Sequence, residues 1–167
     1  MRGPRLERFF GNFPMKMDDK GRVQVPADFR AVLDANDPDR DPRRNPALYV
    51  LFGDTRNPWL TCHSEASMRE LVARLDKMPA AHPAKAAMED ALHGQTERMH
   101  LDDAGRISLS KRLRDQIGLD RAVLFKALGK HFRMMSPEVP APLAAPLTTL
   151  LSELPPEQGI ESLLPDL

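Results

Sequence analysis

An arginine set directly after a tight turn is placed for recognition. Its planar fork of N–H donors can pair with two acceptors at once, either guanine O6 and N7 or the oxygens of a phosphate. The sequence carries that arrangement twice. Met17-Asp18-Asp19-Lys20-Gly21-Arg22-Val23-Gln24-Val25 aligns without gaps with Leu101-Asp102-Asp103-Ala104-Gly105-Arg106-Ile107-Ser108-Leu109, and the match continues through Phe29-Arg30 and Leu113-Arg114. The Asp, Asp, Gly, Arg and final Arg positions are identical, and the apolar positions stay in register. This is a duplicated structural unit.

Each residue of the repeat has a chemical task. Asp bonds its own nearby backbone and Gly takes positive φ without a Cβ clash, so Asp18 with Gly21, and Asp102 with Gly105, shape two reversals of the chain. Asp18 and Asp102 stand four residues before Arg22 and Arg106, where a reversal brings carboxylate and guanidinium together. Arg22 and Arg106 are the principal candidates for binding DNA. Lys20 and Arg30 in the first copy, and Lys111, Arg112 and Arg114 in the second, are candidates for phosphate contacts, although a solvated helix face accounts equally well for the last three.

The elements that must position these residues follow from periodicity. Arg22-Val23-Gln24-Val25 and Arg106-Ile107-Ser108-Leu109 alternate, which predicts strands with the arginine and the next polar residue on one face. Each copy thus reads as strand, turn, strand and short helix. Pro26 suits the first turn of a helix holding Phe29, Val32 and Leu33, and Ser110 suits the N-cap of a helix holding Leu113 and Ile117, closed by Gly118. Residues 34–46 read as an exposed loop. Strands are expected over 48–52, 59–62, 122–128 and 131–135. Two amphipathic helices join the repeats, one capped by Ser64 and lined by Met68, Leu71, Val72, Leu75 and Met78, the other following Pro83 and lined by Ala87, Met88, Ala91 and Leu92.

Other chemistries find less support. His63, His82, His93, His100 and His131 have no zinc-motif spacing, so no metal or cofactor is expected. Cys62 and His63 are strand neighbours that point to opposite faces and cannot form a dyad. The paired aspartates 18/19 and 102/103 would suit a hydrolase only if a pocket joined them. No catalytic residue is assigned.

Composition bounds the rest. The 167 residues are 41% hydrophobic, enough for a packed core, with a formal net charge of zero. That zero conceals an asymmetry, because 105–133 is rich in Lys and Arg while the segment after Ser136 carries only acids and seven prolines. The tail is expected to be largely disordered. No run reaches the ~20 apolar residues of a membrane span, and the N-terminus lacks the apolar stretch of a signal peptide, which points to the cytoplasm and to no membrane partner.

The twin motifs, each running into a short amphipathic helix and separated by two helices, resemble the MraZ family over roughly 11–138. Asp18 to Pro26, followed by Phe29-Arg30, is the closer match. The second copy departs from the pattern at Ser110, where the family has proline. The resemblance implies an α/β (α+β) protomer of two AbrB-like swapped-hairpin β-barrel halves related by a pseudo-twofold axis. Its divisions would be a first repeat at 11–63, a helical connector at 64–94, a second repeat at 95–138 and a tail at 139–167. It further implies a sequence-specific, nucleoid-associated transcriptional regulator. Such a regulator would bind short direct repeats in double-stranded promoter DNA upstream of a division and cell-wall gene cluster, as a ring-shaped homo-oligomer. The alternative is an oligomeric scaffold in which the repeats only build a sheet.

Overall fold

Alternation sends Val23 and Ile107 inward, and in the computed structural model, which describes residues 6–139 and 146–167, these two side chains are almost wholly buried. They lie opposite each other. β2 (Arg22–Gln24) and β6 (Arg106–Ser108) form a separate two-stranded antiparallel ribbon with Val23 facing Ile107, Arg22 facing Ser108 and Gln24 facing Arg106. Each copy therefore gives its second strand to the other copy. Within the first copy, the strands flanking the turn meet only at the single bridge between Met17 and Val23. Periodicity alone suggested two self-contained hairpins, and the swapped pairing implied by the family resemblance is the one observed.

The same exchange organises the larger sheet. β1 (Asn12–Lys16), β3 (Ala47–Leu51), β4 (Trp59–His63), β5 (Thr96–His100), β7 (Ala122–Ala127) and β8 (His131–Met135) build a six-stranded antiparallel sheet in the order β1-β7-β8-β4-β3-β5. First-copy β1 lies on second-copy β7, second-copy β5 lies on first-copy β3, and β4 meets β8 at the centre. Exchanging the copies leaves the order unchanged, so a pseudo-twofold axis passes between β4 and β8 and again between β2 and β6. Hydrogen bonding leaves β1 and β5 as edges, and among the described residues no strand pairing closes the sheet into a barrel.

Helices follow their local chemistry. α1 (Ala27–Ala35) starts after Pro26, whose φ of −51° and ψ of 141° hold the chain extended just before the first turn. It buries Phe29 and Leu33, and its last two residues reach into the segment expected to be loop. α4 (Lys111–Gln116) is capped by Ser110, whose hydroxyl accepts from the Leu113 N–H at 3.3 Å, so this side chain serves where proline stands in α1. Gly118 closes that end with φ of +67°. α2 (Glu65–Asp76) is capped by Ser64, and α3 (Lys85–Glu89) passes directly into a π-helical turn over Asp90–Gly94. Phe29 sits within a cluster of rings, 5.2 Å from Phe9 and 4.9 Å from Phe132, in a continuous core that also takes in Val23, Ile107 and Leu113.

The unit just described ends at Pro137, and the tail from Glu138 is a second unit. Against the expectation of disorder, the tail holds a helix, α5 (Pro146–Glu153), and a 3-10 turn over Ile160–Leu163. The prolines leave room for both: Pro146 occupies the first helical position, where its missing N–H costs nothing, and the next proline is Pro155. No helix among the described residues is long and apolar enough to cross a membrane.

Candidate nucleic-acid interface

Both turns close by the same set of bonds. In the first, the Gly21 N–H donates to the Asp18 carbonyl at 3.0 Å and the Asp18 N–H to the Arg22 carbonyl at 2.9 Å. In the second, the Gly105 N–H donates to the Asp102 carbonyl and the Asp102 N–H to the Arg106 carbonyl, each at 2.9 Å. Gly21 and Gly105 take φ of +80° and +77°, so both turns use the conformation that favours glycine.

The aspartates fix the arginines as the four-residue spacing predicted. Asp18 Oδ1 accepts the N–H groups of Lys20 at 3.0 Å and Arg22 at 2.9 Å, while Oδ2 accepts Arg22 Nε at 2.6 Å. Asp102 Oδ1 accepts Ala104 at 2.9 Å and Arg106 at 2.8 Å, and Oδ2 accepts Arg106 Nε at 2.9 Å. Both carboxyls are held below the ordinary carboxylate range, chiefly by the backbone N–H of the following arginine, with partial desolvation opposing and the guanidinium reinforcing it. Because each pairing uses only Nε, the terminal nitrogens of Arg22 and Arg106 stay open to a ligand. Each arginine side chain keeps 37% of its surface exposed.

Register places the two arginines on one surface. Facing residues of an antiparallel pair share a face, so Arg22, Gln24, Arg106 and Ser108 form the outer strip of the β2–β6 ribbon while Val23 and Ile107 form its inner side. A polar two-stranded ribbon is one of the shapes that fits the DNA major groove. Gln24 and Ser108 were missed as site residues, although their alternation with Val23 and Ile107 was the signal that would have found them. Gln24 also donates from Nε2 to the Ala104 carbonyl at 3.2 Å, joining a first-copy strand to the second-copy turn.

The remaining sequence candidates separate. Lys20 is exposed at the tip of its turn. Lys111 is paired with Asp115 at 2.6 Å on an exposed helix face, and the Arg112 guanidinium lies over the Phe52 ring, 4.3 Å from its centre. Arg30 and Arg114 reach into the opposite copy: the Arg30 guanidinium lies against Gly105, and Arg114 Nε lies 2.9 Å from where a Cβ on Gly21 would stand. In both, Nε is buried without a hydrogen-bond partner. The basic run at 105–133 is accordingly dispersed, with Lys130 on Glu70 and Arg133 stacked on Trp59.

Cys62, His63 and His131 belong to the central strands of the six-stranded sheet and not to the ribbon. His63 is buried between β4 and α2, its Nδ1 2.8 Å from Ser67 Oγ, its ring stacked 5.3 Å from His131. Burial, with His131 second, pushes its pKa down to about 4. Burial pushes the Cys62 thiol up. No group of three or more metal-ligating side chains occurs among the described residues.

Comparison with known proteins decides the family. The chain is 35% identical over 149 residues to the transcriptional regulator MraZ of Ruegeria sp. (strain TM1040), covering 89% of each protein. The chain belongs to the MraZ family. The regulator MraZ of Ruegeria pomeroyi is 35% identical over 130 residues, 78% of each chain, and that of Azorhizobium caulinodans 32% over 133 residues, 80% of each. The family model described as "MraZ protein, putative antitoxin-like" matches residues 92–138, which hold the whole second turn. These relatives are transcriptional regulators, and in this chain Asp18 and Asp102 use their carboxylate oxygens to close the turns and hold the arginines.

Proposed function

We propose that this MraZ protein is a sequence-specific DNA-binding transcriptional regulator that reads short direct repeats in promoter DNA with the β2–β6 ribbon. Arg22 and Arg106 are the principal readers, Gln24 and Ser108 contribute from the same strip, and Lys20 approaches a phosphate. The observation that carries the reading is the duplicated pinning of each arginine through Nε. A guanidinium whose torsions are already fixed loses little entropy on binding, while its open terminal nitrogens can form the two-point contact that identifies guanine. One protomer offers only two such arginines. Useful affinity then comes from a ring-shaped homo-oligomer presenting several ribbons to repeated sites.

The test is a binding titration with DNA from upstream of the chain's own operon, against the same DNA with its repeats scrambled, across a salt series. The reading predicts tighter binding to the repeats and affinity that falls linearly with log salt. Equal affinity for both DNAs would leave only sequence-independent attraction. Absence of binding would leave an assembly scaffold.

A further inference from the structure

We infer that Arg30 and Arg114 are crossed positioning residues: each sets the reading arginine of the opposite repeat and not of its own. This rests on the proposed DNA-reading role of the turns.

The observation is reciprocal. The Gly105 carbonyl accepts from the Val25 N–H at 3.0 Å, and the Gly21 carbonyl accepts from the Leu109 N–H at 2.9 Å, so each turn is anchored by the strand end of the other copy. Five residues beyond each of those strand ends come Arg30 in α1 and Arg114 in α4. Arg30 lies against Gly105, and Arg114 lies against Gly21. Each glycine is thus held on its carbonyl and covered over its Cα by one opposite segment, immediately before the arginine that reads DNA. The geometry recurs at both turns although their surroundings differ, which separates it from a chance contact.

Chemistry supports positioning over direct contact. The Nε of both residues is buried, so the inner part of each guanidinium is packed against the opposite turn and not held out toward solvent. A long, flat side chain laid on a glycine instead fills the space a Cβ would have taken and holds the peptide plane from which Arg22 or Arg106 projects. The consequence is coupling between repeats: the reading at one turn depends on the helix of the other half.

Double-variant cycles test the crossing. Arg30→Met keeps the bulk of the stem and removes the planar head, and Arg30→Gln is made beside it so that a folding loss in one leaves the other readable. For full-length protein on the repeat DNA, we expect either variant to weaken binding roughly tenfold. Combined with Arg106→Ala it should weaken binding no further than Arg106→Ala alone, whereas with Arg22→Ala the losses should multiply. Arg114→Met should show the mirror pattern. The salt slope should match the wild type; a lost phosphate contact would lower it by about one. Multiplying losses with Arg106→Ala, coupling to Arg22 within the same repeat, or a lowered slope overturns the proposal.

If Arg22→Ala and Arg106→Ala themselves leave binding unchanged, the DNA reading fails independently. The crossing is then decided by the arginine Nε–H signals of the free protein. Arg30→Met must shift Arg106 and spare Arg22, and a shift confined to Arg22, or none at either, refutes it.

Discussion

The two turns share their closing bonds and their Asp–Arg pairing, and differ in the residue at the tip and in the segment that packs beside it. Turn 1 carries Lys20 at its tip, whereas turn 2 carries Ala104. Turn 2 is steadied from outside, because Asp103 Oδ1 accepts from Asn45 Nδ2 at 2.9 Å. Asn45 belongs to residues 36–46 between α1 and β3, where the second copy has only residues 117–121. The first repeat's long loop therefore supports the second repeat's turn. Counting Arg114 with turn 1 and Arg30 with turn 2, the first has one more positive charge. What persists through duplication is the apparatus that aims an arginine, Asp, Gly and Arg; what varies is the residue at the tip. Turn 1 is the more attractive to phosphate and turn 2 the more firmly held.

The largest effect should come from the glycines, and it should be unequal. A Cβ on Gly21 would strike the Leu109 carbonyl, which is backbone, while the three atoms nearest a Cβ on Gly105 all belong to the flexible Arg30 side chain. Gly21→Ala should cost about 3 kcal/mol and Gly105→Ala about 1.5 kcal/mol, read by chemical denaturation. Equal or reversed losses would break the comparison.

Acid should act next, on neither turn at first. His63 stays neutral in the fold with its pKa near 4, below its ordinary value of 6.5, so the folded state binds fewer protons than the unfolded one. Stability is full above pH 6.5 and falls as pH drops toward 4, by roughly 3 kcal/mol. The Asp18 and Asp102 carboxyls are also depressed, so their contribution is lost only at lower pH, below the ordinary carboxylate range. Unfolding titrations of His63→Gln should lose most of the upper phase, the remainder belonging to His131, whose pKa burial also lowers, and keep the lower. An unchanged upper phase would remove His63 as its source.

The smallest expected effect sharpens the charge difference. Lys20→Ala should weaken DNA binding a few-fold and lower the salt slope by about 0.9, and Ala104→Lys should raise the slope by a similar amount. Unchanged slopes in both would place the turn tips away from phosphate.

Much of this architecture was legible in the residues. Internal alignment exposed the duplication, the four-residue spacing gave both Asp–Arg pairings, and Ser64 and Ser110 cap the helices expected of them. Pairing partners were not legible from pattern alone. Alternation says that Val23 faces the core, but Ile107 satisfies it as well as a strand of its own copy would. For the same reason Arg30 and Arg114 read as surface cations, since nothing local announces that each crosses to a glycine in the other repeat. Where the basic run points was not legible either, because neighbours such as Arg112 and Arg114 leave a short helix in different directions.

On the proposed function, the two pinned arginines read DNA. Arg22→Ala and Arg106→Ala should each lower affinity for tandem-repeat DNA by about 10- to 100-fold, with the molar mass of the assembly by light scattering unchanged. Wild-type affinity in both variants, with assembly intact, would contradict it.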